Sequence, residues 1–232
     1  MADQDEWTLS TSLHLILAIL GWQVLTVVGL LLVGGVFRVF LPEMLVIRWG
    51  GPVAFVTLEL VWLLVLGHYR WRSGVKPLWQ EEELRDWRFW CLLGAAVCLC
   101  VGANLTRLWL AEGSVRLSAG DLTAGLGPVS LGPSLAIIAA AVGLAPVAEE
   151  WFFRGVVQGA LTRRWGAWLA IPVTALVFGA LHGLSDIWVV AVYGLVFGLL
   201  AHRRHSLTLS ILVHAAVNLV ALGVPLAIQL AH

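Results

Sequence analysis

Charge is what this chain has least of. Of its 232 residues only 12% are Asp, Glu, Lys or Arg, against 60% hydrophobic, and the mean hydropathy is +0.91. Soluble domains carry about twice that share of charge, so the one or two soluble domains that the length alone would allow are excluded. The composition is that of a polytopic membrane protein. Lysine is nearly absent: Lys76 stands alone among the 14 basic residues, a usage that fits a GC-rich bacterial source and, with it, a bacterial inner (plasma) membrane. Cysteine is sparse too. Cys91, Cys98 and Cys100 lie in one apolar segment without metal-ligand spacing, so they read as small hydrophobes and say nothing about redox compartment. The first residues (MADQDEW) lack the basic start of a signal peptide, which makes the first apolar run a retained span. Internal repeats and low-complexity tracts are also missing. The net charge of zero is uninformative because the charges gather in loops, and no nucleic-acid partner is expected; the partners are the lipid bilayer and whatever reaches the protein within it.

What is present is apolar length. Crossing a core of ~30 Å takes about 20 residues, and seven runs qualify: roughly 12–35, 50–67, 89–110, 133–161, 166–183, 187–202 and 206–230, with six to eight helices compatible with the pattern. The expected fold is an all-α membrane helical bundle. Tryptophans near the run ends (Trp49, Trp71, Trp90, Trp109, Trp165, Trp168, Trp188) suit interfacial anchoring. The one strongly charged loop is 68–88, whose EEELRDWR half predicts a short interfacial helix. Residues 111–132, rich in Gly, Ser and Pro, read as a connection. With the N-terminus inside, the inner loops hold Arg70, Arg72, Lys76, Arg85, Arg88, Arg163, Arg164, Arg203 and Arg204, and the outer ones only Arg38, Arg48 and Arg116, which favours N-in, C-out. Asn104 and Arg107, inside the third span, have no role that the pattern assigns.

The fourth span carries two adjacent acids, Glu149 and Glu150. A carboxylate at that depth costs a few kcal/mol and is retained where it works or is neutralised. Neighbouring helix positions point about 100° apart, so the pair cannot face the same way. Arg154 is four residues beyond Glu150, on the same face, and the spacing predicts a buried Glu150–Arg154 ion pair. Glu149 is left to face something else. Span five ends in Phe178-Gly179-Ala180-Leu181-His182. Span seven carries His214 and, four residues on, Asn218, one above the other. Counting about 1.5 Å per residue from the arginine pairs puts Glu149 at about 21 Å, His182 at about 25 Å, His214 at about 14 Å and Asn218 at about 20 Å from the inner edge. Their mean, about 20 Å, places a shared layer nearer the outer face.

Such a set supports hydrolysis. A carboxylate in an apolar site is a general base for water, a histidine opposite holds the same water or relays its proton, and a second histidine and an amide donate to the oxyanion of a tetrahedral intermediate. No Ser or Cys nucleophile lies in the layer, which argues against acyl-enzyme chemistry. Other readings exist for each piece: structural ion pairing for Glu150 and Arg154, helix-bridging hydrogen bonds for His182, His214 and Asn218, and packing for Phe178. They combine into two rival functions. One is a non-enzymatic immunity or accessory protein whose polar cluster rigidifies the bundle. The other is a proton-coupled transporter with a Glu/His relay, against which the lack of repeats and of paired interrupted helices counts.

The sets Glu149-Glu150-Trp151-Phe152-Phe153-Arg154, Phe178 to His182, and His214 to Asn218 resemble, in order and separation, the EExxxR, FxxxH and HxxxN motifs of the CPBP family. These are CAAX-processing and bacteriocin-processing intramembrane endopeptidases, often called Abi or CAAX proteases. The resemblance spans residues 133 to about 222 and divides the chain into an N-terminal transmembrane region (1–132, with the charged loop 68–88) and a catalytic helical core (133–232). It implies an intramembrane endopeptidase acting on a membrane-anchored protein or peptide. Glu149 would activate water with His182, His214 and Asn218 would stabilise the oxyanion, and Glu150 and Arg154 would support them. It further implies a substrate bond near a C-terminal anchor or lipidated tail. Family members are also called metalloproteases: Glu149, His182 and His214 are the residues a Zn²⁺ would use, and a metal-free glutamate mechanism needs the same three.

Overall fold

The computed structural model describes residues 9–40, 43–73, 79–112, 131–183 and 185–230. Among them all regular structure is helical. Seven helices follow in order: α1 (Leu9–Phe40), α2 (Glu43–Ser73), α3 (Trp87–Glu112), α4 (Leu131–Trp165), α5 (Ala167–Ala180), α6 (Ile187–Arg204) and α7 (Thr208–Leu230). They coincide with the seven expected spans. Helices α1 to α4 and α6 each hold a stretch long and apolar enough to cross a membrane, while the apolar parts of α5 and α7 are shorter. Where the charged loop predicts an interfacial helix there is one turn of 3₁₀ helix, Glu81–Arg85. Most of the expected 111–132 connection lies outside the described residues. The exterior is apolar, with Leu31, Leu32 and Leu64 each about 70% exposed, and Trp90, Trp109, Trp165, Trp168 and Trp188 are exposed near helix ends, as a lipid-facing surface with an aromatic belt requires. This is an integral membrane bundle.

Helix α4 is the hub. Its first half packs on α2 and α7, and its second half on α5, α6 and α1. Pro146 has no N–H to give the carbonyl of Val142, yet the helix runs through, because Leu144 N–H reaches Ala140 O at 2.9 Å and Ala148 N–H reaches Leu144 O at 3.0 Å. Immediately after Glu150 the helix widens to π geometry over Trp151–Gln158, an arrangement that occurs mostly as short inserts and frequently at functional sites. The wider turn accommodates three consecutive large side chains, Phe152, Phe153 and Arg154, all buried. Gly166, at φ +79°, then reverses the chain into α5. The α5–α6 pair is close because its contacts are small: a Cβ on Gly194 would lie 2.8 Å from the Cα of Ala175.

Two polar ties fix which helix ends share a face. Arg204 at the end of α6 pairs with Glu83 just before α3 (Nε to Oε1, 3.2 Å), and the Gln80 N–H donates to Thr208 Oγ1 at 2.8 Å. At the opposite end Arg107 of α3 is ion-paired with Asp186 in the α5–α6 turn, and Arg107 Nε donates to Asn104 Oδ1 at 3.3 Å. That gives Asn104 and Arg107 a structural place. It also puts the Arg163–Arg164 and Arg203–Arg204 pairs on one face and the α5–α6 turn on the other, the alternation that seven spans demand.

Candidate active site

Glu150 sits at the centre of a buried polar cluster. Its Oε1 lies 2.9 Å from Arg154 Nη1, with neither side chain exposed at all, so the i, i+4 pair forms as spacing predicts. Arg154 also donates to the carbonyl of Gly194 at 3.3 Å, and its guanidinium lies over the rings of Phe178 at 4.5 Å and Phe197 at 5.3 Å. These faces attract a desolvated cation. One turn on, Gln158 Nε2 donates to Gly198 O at 3.0 Å. Phe178 therefore walls the cluster and carries part of the arginine's electrostatic support.

The same Glu150 oxygen lies 3.0 Å from His214 Nδ1. A carboxylate that is ion-paired with arginine only accepts hydrogen bonds, so Nδ1 carries the proton and Nε2 of the neutral ring presents a lone pair. The ring is held flat against Phe197 (4.8 Å, 22°). Nε2 then faces Glu149, 3.8 Å from its Oε2. That separation exceeds a direct hydrogen bond and is of the kind that a bridging oxygen closes. Glu149 Oε2 is buried and has no hydrogen-bond partner among the described residues.

The remaining residues sit differently from the sequence-based layer. Helix α5 ends at Ala180, so His182 lies beyond it, exposed in the turn. Its Nδ1 is 2.8 Å from the Phe178 carbonyl, and its ring packs on Phe178 at 4.7 Å. Asn218 donates its amide to the Ala141 carbonyl at 2.7 Å, two turns along α4 from Glu149; an amide has a second N–H to offer. Glu149 and His214 are neighbours although straight-helix counting separates them by about 7 Å. Counting along the axis assumes helices parallel to the membrane normal, and tilted helices bring different counts to one depth. With 14 residues, α5 is about 21 Å long and does not span a ~30 Å core.

Among the described residues no three His, Cys, Asp or Glu side chains come together as a set able to hold a metal ion. Glu149, His182 and His214 are accordingly not assembled as a ligand set.

One acid belongs in this neighbourhood that the last four spans do not contain. Glu59, mid-way along α2, is 92% buried (8% exposed) and interacts electrostatically with Glu149. The signal is present in the sequence: a lone carboxylate in an apolar run is a functional-site candidate wherever it falls.

Residues 131–220 match the family model described as type II CAAX prenyl endopeptidase Rce1-like. Neither the comparison with curated proteins nor that with solved structures finds a match.

Proposed function

Taking the membership of residues 131–220 in the CPBP/CAAX protease family as premise, we propose that the chain hydrolyses a peptide bond near a C-terminal membrane anchor or lipidated tail, with Glu149 as the base that activates water. The observation that carries this reading is the facing pair: an unpartnered Glu149 oxygen 3.8 Å from the acceptor nitrogen of a histidine that Glu150 holds in orientation. A water seated between them gives its proton to Glu149 as its oxygen adds to the scissile carbonyl. Glu149 returns that proton to the departing amine as the C–N bond breaks. His214 accepts a hydrogen bond from the same water and fixes its direction, as the carboxylate–histidine pair of a serine-protease triad fixes its imidazole. This moves His214 from oxyanion donor to water holder. The free N–H of Asn218 remains as a donor for the oxyanion, and His182, whose Nδ1–H is given to the Phe178 carbonyl, presents an acceptor nitrogen that can share the water.

The test is to express Glu149→Gln and the unmodified chain at matched levels and compare the C-terminal masses of membrane-anchored proteins. The substitution preserves size and removes the base, so cleavage should cease at normal protein abundance. Near-unchanged turnover in Glu149→Gln would overturn the assignment and favour the accessory-protein reading.

A further inference from the structure

We infer that Glu59 and Trp62 of α2 form a subsite for the peptide backbone of the substrate, Glu59 accepting a backbone N–H and Trp62 Nε1 donating to a backbone carbonyl. The inference rests on the endopeptidase reading above and extends it to a helix outside the matched stretch.

Three observations carry it. Glu59 is 92% buried (8% exposed), and its Oε2, completely enclosed, has no hydrogen-bond partner among the described residues. Trp62 Nε1, equally enclosed, has none either. The two are three residues apart and share one face of α2. That face is turned to the active segment: α2 packs on the α4 residues around Ala145–Glu150, the Trp62 ring lies 4.9 Å from that of Phe152, and Glu59 interacts electrostatically with Glu149. Helices α2 and α4 run in the same direction, so Glu59 and Trp62 on one stand in register with Glu149 and Phe152 on the other.

An acceptor and a donor left bare inside an apolar bundle are each costly. Together they complement the one group that brings both a donor and an acceptor into a membrane, a peptide unit stripped of water. The subsite would hold the chain in extended form beside Glu149 and present the next peptide bond to the water.

The experiment uses an S-farnesylated CAAX-type peptide and a set of its single N-methyl variants, each lacking one backbone N–H. Binding is measured on protein carrying Glu149→Gln, so that it is read without turnover, and cleavage is measured on the unmodified chain. Glu59→Leu should weaken binding about tenfold, as leaving a buried backbone N–H without its acceptor does. Glu59→Gln, which keeps an acceptor oxygen, should recover most of that. Trp62→Phe, which keeps the ring but not the N–H, should weaken binding several-fold. One N-methyl variant should bind poorly to protein with Glu59 and no worse than the parent peptide to Glu59→Leu. An N-methyl penalty that persists unchanged in Glu59→Leu, or failure of the peptide to bind at all, overturns the subsite. If Glu59→Leu fails to accumulate, the same N-methyl comparison on Glu59→Gln and Trp62→Phe decides. Peptide that binds through Glu59 but is never cleaved by the unmodified chain sinks the endopeptidase reading and leaves the subsite standing.

Discussion

Replacing Glu150 by glutamine removes one charge that does two jobs, and the two losses can be separated. In stability, the change strands Arg154. Its guanidinium, fully enclosed, keeps the Gly194 carbonyl at 3.3 Å and the Phe178 face at 4.5 Å but loses its counter-ion at 2.9 Å. Breaking a buried pair from one side costs about 3–5 kcal/mol, mostly the penalty of the uncompensated charge. In activity, the oxygen that accepts from His214 is the one that meets Arg154, so a glutamine carbonyl in its place still holds Nδ1–H, but as a neutral acceptor. Hydrogen bonds to charged groups are worth roughly twice neutral ones, so the ring is held less firmly and turnover per folded molecule should fall about tenfold. The double variant Glu150→Gln with Arg154→Met resolves the two effects. It removes both charges and leaves an unbranched apolar chain in the arginine's place, which should return stability to within about 1–2 kcal/mol of the parent without restoring turnover. Stability is read from denaturant titration in micelles and turnover from cleavage per mole of folded protein. A double variant with parental turnover would mean that Glu150 is a counter-ion and nothing more. A single variant as stable as the parent would mean that Arg154 is compensated elsewhere.

Asn218→Ala is expected to lower kcat about 10²–10³-fold with KM held, the effect of losing one oxyanion donor; steady-state kinetics giving a raised KM and unchanged kcat would instead make Asn218 a substrate contact. The site is expected to lie towards the periplasmic face. In a background without Cys91, Cys98 and Cys100, an impermeant thiol reagent on intact cells should label a cysteine at Ser185 and spare one at Arg203, since these mark opposite ends of α6; the reverse pattern inverts the orientation.

Helix positions are legible in the sequence because apolar length leaves no alternative in a bilayer, where every backbone group must be satisfied within the segment. The Glu150–Arg154 pair is legible for a similar reason, since two opposite charges one turn apart and out of water have nowhere else to go. The third partner is not. That Glu150 also binds His214 follows from how α4 and α7 cross, which no local spacing encodes. His182 is legible as a site candidate, but the period of α5 does not announce that the helix stops at Ala180, three residues before the expected end of the span. Spacing places Asn218 beside His214, but the sequence cannot say that a carbonyl of α4 takes up one of its N–H groups. Glu59 is visible as a lone acid in an apolar run; what hides its place is that no motif surrounds it and that its partners lie on another helix.

Arg154 and Gln158 on α4 reach the carbonyls of Gly194 and Gly198 on α6, two rungs one helical turn apart. Two rungs make a ratchet. Sliding α4 along α6 by even one residue breaks both, and a Cβ at Gly198 would lie 2.6 Å from the Gln158 amide oxygen, so a glycine is what lets the seam close this tightly. The register of α4 against α6, and with it the place of Glu149 and Glu150 just before the first rung, is thus set by two directional bonds to carbonyls and not by apolar fit alone.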